Sequence, residues 1–568
     1  MCLEHHYLEG GIGLMPSFLT DNIMRGTDWR ALERAVARLM ILAGWDNVEV
    51  VGETGDNGAD IIGVRAVNGV RKTWVVQVKA KTMGEIVGSG AVKEVMNAMS
   101  VYGANIAVVA TNGDFADMAK KRQKELKEQG FDLRLWNGRF LMDFLAQLPQ
   151  YPHLRSLRPY QDDIVNKAKS IYDNHGKRAL YIVATGLGKT VIASRIFNYL
   201  WEKGNKRFLV LCHAQDLALQ LEQSFWKEIS KDVPTRTFFG GRPPLIYDGI
   251  NFGLYQTFSN YLNGIAENDF DVVIVDEAHH ALANGFASCL NSLKPNFLIG
   301  MTATPWRGDG QSMATIFGNP IASVSLVDGM NDKYLAEVDY RLFCDNIDWE
   351  KVHNLSRQKC SIKDLNKKLF LPQRDDAIIS QIKKTCAEVS SPRIIVFSPS
   401  IEHAKQFAVQ LTSAGISCVS LSGEDKFARR KNLMDFSAGK IQAVTAVDVL
   451  NEGIDVPNVN ILVFLRATHS RRIFIQQLGR GLRISDTKKK VIVLDFVSDI
   501  RRIAEVIQMN KEGKEKAKTS ETMYLKNGFV HFSNQQAGDF MQEWLADMAD
   551  VSNFDENEKL AFPEDYHG

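Results

Sequence analysis

Near the start of the chain the run VVQVKAK, Val75 to Lys81, sets Gln77 and Lys79 two residues apart in an otherwise apolar stretch. In an extended strand such residues leave the same face. An amide and an ammonium therefore emerge together from a segment whose Trp74, Val75, Val76 and Val78 belong in a core. A buried lysine is rare unless it is paired, and the plain alternative is a stem that snorkels to water. Upstream, GETGDNGADII carries Asp60 into a short strand, and the turn, strand, turn, strand order is a hairpin-like pairing that can bring Asp60 beside Gln77 and Lys79. Glu33 stands further back, in WRALERAVARLMILAGW, whose apolar residues recur at helical spacing. A carboxylate with a neighbouring carbonyl oxygen can hold Mg²⁺ through a few direct ligands and waters. A lysine beside it can orient or help deprotonate a water, while the metal stabilises charge at phosphorus. That is the chemistry of a metal-dependent phosphodiesterase.

A second group lies in the middle of the chain. ATGLGKT, Ala184 to Thr190, follows the strand-like LYIVA and opens a helical VIASRIFNYL. Thr185, Gly186 and Gly188 form a loop whose backbone N–H groups can cradle phosphate at a helix N-terminus. Lys189 supplies charge to the β- and γ-phosphates and the Thr190 hydroxyl suits Mg²⁺. The strict pattern has Gly where this chain has Val183, so the loop is a relaxed form. DVVIVDEAHH then ends a buried strand on adjacent carboxylates: Asp276 to hold the metal shell, Glu277 to orient and deprotonate the attacking water, with His279 at the edge of the site. Together these residues read as a nucleotide-binding site that positions Mg²⁺ and a water for phosphoryl transfer.

The elements that must position these groups fall into sets. Strand-like runs VEVVG, WVVQVK and IAVVAT with a helical FADMAKKRQKELKEQG close at the prolines of LPQYPHL and define a domain over residues 1–152. LYIVA, FLVLC, FGLYQTF, DVVIVD and FLIGMTA have parallel α/β texture and make a second domain, 153–340. A polar segment, 341–375, leads to a further α/β lobe, 376–500, built on RIIVFS, ISCVSLSG, AVTAV, NILVFL and VIVLDF. Residues 501–568, with the amphipathic MQEWLADMADV, read as a small helical appendage. The fold class is α/β throughout. The net charge of +1 excludes a polycation, so nucleic acid must be met by local basic surface. Seven scattered cysteines with no CxxC argue against a disulfide framework or zinc ribbon and fit a reducing compartment. No apolar run reaches the roughly 18 residues of a membrane span, and the expectation is a soluble protein.

ATGLGKT, DEAH at 276–279, TAT from Thr302 to Thr304 and QQLGRGLR at 476–483 resemble, in that order, a superfamily-2 helicase or translocase. RPYQ ending at Gln161, MTATPWRGDG and VLNEGIDVP are similar to the branch holding the motors of type I and type III restriction enzymes and the XPB-like helicases. The resemblance implies two RecA-like lobes, adenine recognition by Gln161, and reach to the nucleotide by Gln476, Arg480 and Arg483 from the second lobe. It also implies sequence-independent contacts to a DNA backbone from Gln256, Thr257 and the surroundings of His213 and Gln220. Val447 stands where relatives commonly have Thr. The N-terminal run from Glu33 through GDNGADI to VVQVKAK resembles the Mrr-like branch of the PD-(D/E)xK nucleases, a restriction-endonuclease-like fold. There Asp60 is the main metal ligand, Gln77 a further ligand in the place of an acid, Lys79 the catalytic lysine and Glu33 an auxiliary acid.

The expected function is an ATP-dependent DNA translocase with its own Mg²⁺-dependent endonuclease, acting in restriction of foreign DNA in a prokaryotic cytoplasm. The alternatives are a repair or recombination helicase-nuclease, and a motor whose nuclease-like domain only grips DNA. The chain has no methyltransferase signature, so recognition of DNA modification would need a protein partner or unread surface, and a homo-oligomer is compatible.

Overall fold

The computed structural model describes residues 18–343 apart from 20, 52–57, 68, 83–84, 239–247, 263–264, 266–268 and 304–311. It further describes 359–447 apart from 370–374 and 422–425, then 459–465, 482, 490–496, 499–516, 530–532, 538–539 and 559–561. The chain divides into two compact units: Met1–Pro159 with Ala193–Val273 and Ser292–Asn296, and Tyr160–Ile192 with Ile274–Asn291 and Phe297–Gly568.

The first unit opens with α1 (Asp21–Arg25) and α2 (Trp29–Leu42). Asp28 caps α2 by accepting from the Ala31 N–H at 3.1 Å, and Leu32, Val36, Leu39 and Met40 bury its apolar stripe. There follow β1 (Asp46–Val50), β2 (Ile61–Val67), β3 (Val70–Lys79), β4 (Ile86–Val87), α3 (Ser89–Tyr102), β5 (Ile106–Thr111), β6 (Asp114–Phe115), α4 (Asp117–Glu128), β7 (Asp132–Trp136) and α5 (Gly138–Gln147). The sheet order is β1-β2-β3-β5-β7. β1, β2 and β3 run antiparallel, while β3, β5 and β7 are parallel. β3 thus has a hairpin partner on one side and crossover partners on the other, and its Trp74 packs edge-on against Trp45 at 4.9 Å in the core.

The middle of the chain forms α6 (Pro159–Asp173), β8 (Arg178–Val183), α7 (Lys189–Glu202), β9 (Arg207–Cys212), α8 (Gln215–Trp226), β10 (Thr235–Phe238), β11 (Gly249–Leu254), α9 (Tyr255–Tyr261), β12 (Val272–Asp276), β13 (Phe297–Thr302) and β14 (Pro320–Val324). In the first unit β10, β11 and β9 pair in parallel. In the second, β13, β8 and β14 do so. Helix α2 packs on α8 within the first unit. Arg34 pairs with Glu222 and donates to Thr237 Oγ1 at 2.6 Å, and Arg38 donates to the carbonyls of Val233 at 2.8 Å and Ser230 at 3.2 Å. The Arg38 guanidinium lies over the rings of Phe18 and Trp226. Burial pulls it down to about 9, against the opposing pull of Glu222, so it stays charged at neutral pH.

The second unit adds β15 (Glu337–Phe343), β16 (Lys359–Ser361), β17 (Ile394–Phe397), β18 (Cys418–Ser420), β19 (Ala443–Ala446), β20 (Ile461–Phe464), β21 (Lys490–Phe496), β22 (Val530–Phe532) and β23 (Lys559–Ala561). Its parallel sheet has the order β18-β19-β17-β20-β21-β15-β22, in which β17, β19, β20 and, past Lys490, β21 are buried.

The structure differs from the sequence reading at three places. FGLYQTF is not one strand: β11 ends at Leu254 and α9 begins at Tyr255, turning Phe258 back over Gly253. The boundary drawn at residue 340 falls inside β15, which pairs with β21 in the later sheet. The region after residue 500 is more than helical, since it contributes the helix Ile500–Lys516, β22 beside β15 and β23 beside β16. That helix is tied in by buried Arg502, whose Nε lies 3.0 Å from Asp495, itself the acceptor of the Tyr340 hydroxyl at 2.5 Å. MQEWLADMADV lies outside the described residues. Among the described residues no helix is long and apolar enough to cross a membrane.

Candidate nuclease and nucleotide sites

The register Ile61↔Val76 places Asp60, just ahead of β2, opposite Gln77 of β3. The backbone closes the pairing through Asp60 N–H to Val76 O at 2.8 Å. Asp60 Oδ2 accepts from Gln77 Nε2 at 2.6 Å and from the Val78 N–H at 2.5 Å. Both side chains are 5% exposed. With its nitrogen committed to Asp60, the Gln77 amide presents Oε1, a buried oxygen with no hydrogen-bond partner. Such an acceptor is costly unless a ligand uses it, and an amide oxygen beside a carboxylate suits a hard divalent cation. Lys79 ends the same strand, and its Nζ lies 2.6 Å from Glu94 Oε2 of α3. Glu33 is buried on α2, the helix that packs on β2 and β3. The structure therefore brings Asp60 and Gln77 into contact, puts Lys79 two residues on, and gives it a carboxylate partner from a different element.

In the nucleotide site β8 delivers the loop and α7 receives it. Gly186 and Gly188 have φ of 87° and 85°, left-handed values that residues with a Cβ rarely adopt. At Gly188 a Cβ would also fall 2.6 Å from Gln161 Nε2. Gln161 donates to the Leu187 carbonyl at 2.9 Å and the Tyr160 hydroxyl to the same carbonyl at 2.5 Å, so α6 braces the loop from behind. The Tyr181 hydroxyl donates to the Lys189 carbonyl at 3.1 Å. Thr185 and Thr190 stand within the same loop and helix start, half-buried. Lys189 Nζ is 2.7 Å from Glu277 Oε1. The other oxygen of Glu277 accepts from Thr302 Oγ1 at 3.4 Å and lies 3.4 Å from His279 Nδ1, which in turn is 2.9 Å from Thr302 Oγ1. Glu277 holds φ of 46° in the left-handed region, a conformation with a cost of about 1–2 kcal/mol that functional sites tolerate. Asp276, at the end of β12, is 5% exposed. These groups can bind a triphosphate, hold a metal through Thr190 and Asp276, and orient a water on Glu277.

Among the described residues no three His, Cys, Asp or Glu side chains gather as a metal cluster. Of the residues expected to meet DNA, Gln256 is exposed at the start of α9, and Thr257, His213 and Gln220 are half-buried in the same unit. Gln476, Arg480 and Arg483 lie outside the described residues, as do Thr304 and the VLNEGIDVP segment.

Sequence reasoning missed Glu94, Tyr160, Tyr181 and the Arg34/Arg38 contacts. Their partners lie far off along the chain or across the sheet, and nothing in local spacing reports them. The one signal that could have found Glu94 is the spacing of Ala91, Val92, Val95 and Ala98, which bury one side of its helix and leave Glu94 off it.

Three family profiles match the chain: a restriction endonuclease of the Mrr type over residues 24–145, the res subunit of type III restriction enzymes over 155–307, and the helicase conserved C-terminal domain over 376–485. Among similar curated proteins, IRC3 of Saccharomyces cerevisiae, whose name designates an ATP-dependent helicase, is 26% identical over 60% of this chain and 51% of its own length. The endonuclease subunit of the type I restriction enzyme EcoAI of Escherichia coli is 24% identical over 60% of this chain and 46% of its own. The DNA 3'-5' translocase XPB2 of Sulfurisphaera tokodaii is 24% identical over 57% and 78%. The chain spans about half the length of the first of these relatives. A solved structure of the ATP-dependent type ISP restriction-modification enzyme LlaBIII bound to DNA superposes with a TM-score of 0.51 at 16% identity, covering 86% of this chain and 38% of that one, a likeness of fold. These matches agree with the resemblances read from the motifs. The chain joins an Mrr-type restriction endonuclease domain to a type III restriction res-subunit domain and a helicase conserved C-terminal domain, and its relatives include type I restriction enzyme subunits and XPB-like translocases.

Proposed function

We propose that the protein is an ATP-driven DNA translocase that carries its own Mg²⁺-dependent endonuclease and acts in restriction of foreign DNA in a prokaryotic cytoplasm. The observation that carries this reading is the Asp60–Gln77 pair at 2.6 Å, with an unbonded amide oxygen beside it and Lys79 on the same strand. A buried amide acceptor beside a carboxylate is what a metal-holding centre needs, and this favours cleavage over a domain that only grips DNA. Asp60 and Gln77 would hold the nuclease metal, and that metal, when bound, supplies charge stabilisation at the scissile phosphate. Lys79 faces the developing charge and the attacking water, and Glu33 supports the centre from α2. In the motor, Lys189 binds the terminal phosphates and Glu277 takes the proton of the attacking water, its carboxylate aimed by Thr302 and His279. Because Thr302 ends β13 at the TAT segment, the group that aims the base sits where nucleotide chemistry and DNA handling are expected to meet. Gln476, Arg480 and Arg483 would complete this site from the second lobe.

The track is duplex DNA, met through its backbone. ATP hydrolysis by the full chain, followed by phosphate release, is expected to rise on adding duplex DNA of any sequence and to rise far less with single-stranded RNA. Turnover that ignores DNA, or answers only to RNA, would remove this function.

A further inference from the structure

We propose that Glu94 is a positioning residue of the nuclease centre, holding the Lys79 ammonium in line with the Asp60–Gln77 pair. This deepens the nuclease reading and rests on it. The Gln77 position, where an acid would otherwise neutralise the lysine, is an uncharged amide. Asp60 Oδ2 is taken by Gln77 Nε2 and the Val78 N–H. The carboxylate on Lys79 comes instead from α3, with Nζ and Glu94 Oε2 2.6 Å apart, the length of a charge-assisted bond. A second contact ties the same point of α3 to the metal-ligand turn. Gly58 sits two residues before Asp60 with φ of 89°, and a Cβ there would fall 2.5 Å from the Glu94 carbonyl oxygen. The turn that presents Asp60 therefore rests on the backbone of Glu94 while the Glu94 side chain takes Lys79. One residue of α3 sets the placement of both.

The helix is suited to this. Ala91, Val92, Val95 and Ala98 anchor it against β3 and β5, leaving Glu94 on its open flank. The pair itself is 33% and 49% exposed, and ion pairs of that exposure contribute little to stability. Glu94 is consequently dispensable for folding, and its removal reads out in chemistry. A lysine on a four-carbon stem samples many rotamers, and the carboxylate narrows them to those that reach the site.

The test uses the full-length protein and plasmid DNA with Mg²⁺ or Mn²⁺. Glu94→Gln is expected to slow single-turnover cleavage about ten- to hundredfold, the range for residues that orient a catalytic group, with DNA affinity and melting temperature unchanged. Glu94→Asp is expected to recover part of the rate. Without metal, acylation of Lys79 by an amine reagent, read by mass spectrometry, should rise in Glu94→Gln as the shielding partner is lost. Cleavage by Glu94→Gln at the native rate, or Lys79 labelling unchanged by the substitution, overturns the assignment. A native protein that cuts no DNA with either metal fails at the nuclease reading itself and takes the role of Glu94 with it, an outcome plainly separate from an active enzyme indifferent to Glu94.

Discussion

Each of the two candidate centres keeps its key lysine on a glutamate, and the two pairs differ in burial. In the nucleotide site Lys189 and Glu277 are 2.7 Å apart with side chains 14% and 9% exposed. In the nuclease site Lys79 and Glu94 are 2.6 Å apart at 33% and 49%. At similar length the first pair feels a lower dielectric and is held by further contacts to Thr302 and His279, whereas the second is open to water and salt. Removing one partner of a buried pair strands a charge and costs about 3–5 kcal/mol. An exposed pair is worth about 0–1 kcal/mol. On the proposed function, the glutamate of the motor serves both architecture and chemistry, while that of the nuclease acts through aim alone.

The largest expected break in this contrast is at the motor. Lys189→Ala should lower ATP turnover by about 10² to 10³ or more, because it removes charge from the transferring phosphate. Glu277→Gln should lower turnover to a like extent while ATP binding, followed with a fluorescent nucleotide, persists. A Glu277→Gln variant that still turns over ATP would deny Glu277 its role as base.

Next in size is a buried cation with no site chemistry. Arg38→Met strips two backbone carbonyls of their donor and uncovers the α2–α8 contact. It is expected to cost about 2–4 kcal/mol, seen as a lower melting temperature, with ATP turnover per folded molecule retained. An unchanged melting temperature would mean that burial does not rank these cations.

The smallest effect belongs to the half-exposed Arg341, which bonds both oxygens of Glu388, at 2.8 and 2.6 Å. Hydrogen bonding from Arg341 holds the Glu388 carboxyl below its ordinary value. A lowered folded value means stability that is present above the ordinary glutamate range of about 4.3 and lost as pH falls through the folded value. Glu388→Gln, which removes the exposed partner and leaves Arg341 on Asp339, should thus cost under about 1 kcal/mol at pH 7, and the difference in urea midpoint should close on acidification. A gap that widens in acid would reverse the sign argued here.

What was legible in the sequence follows from how local each feature is. The phosphate loop, the Asp276–Glu277 pair and the β2–β3 hairpin are set by neighbours within a few tens of residues, and spacing alone placed Asp60 beside Gln77. Glu94 was not legible, because an exposed glutamate on an amphipathic helix has the same local pattern whether or not a lysine from the neighbouring strand reaches it. Nothing in local spacing sets Arg34 and Arg38 apart on α2, since their partners lie roughly 190 residues on. The strand in FGLYQTF was overextended because aromatic residues fit a strand or a helix equally well. The boundary at 340 failed because β15 finds its partner in β21, about 150 residues later.

The most direct test of the central claim is cleavage of supercoiled plasmid with Mg²⁺, with and without ATP, by the native protein, Lys79→Ala and Lys189→Ala. The account predicts that the native protein cuts, that Lys79→Ala hydrolyses ATP but leaves DNA intact, and that Lys189→Ala loses ATP hydrolysis together with any ATP-dependent part of the cutting. A native protein that hydrolyses ATP yet leaves every DNA intact with Mg²⁺ and Mn²⁺, or a Lys79→Ala variant that cuts as the native does, would contradict it.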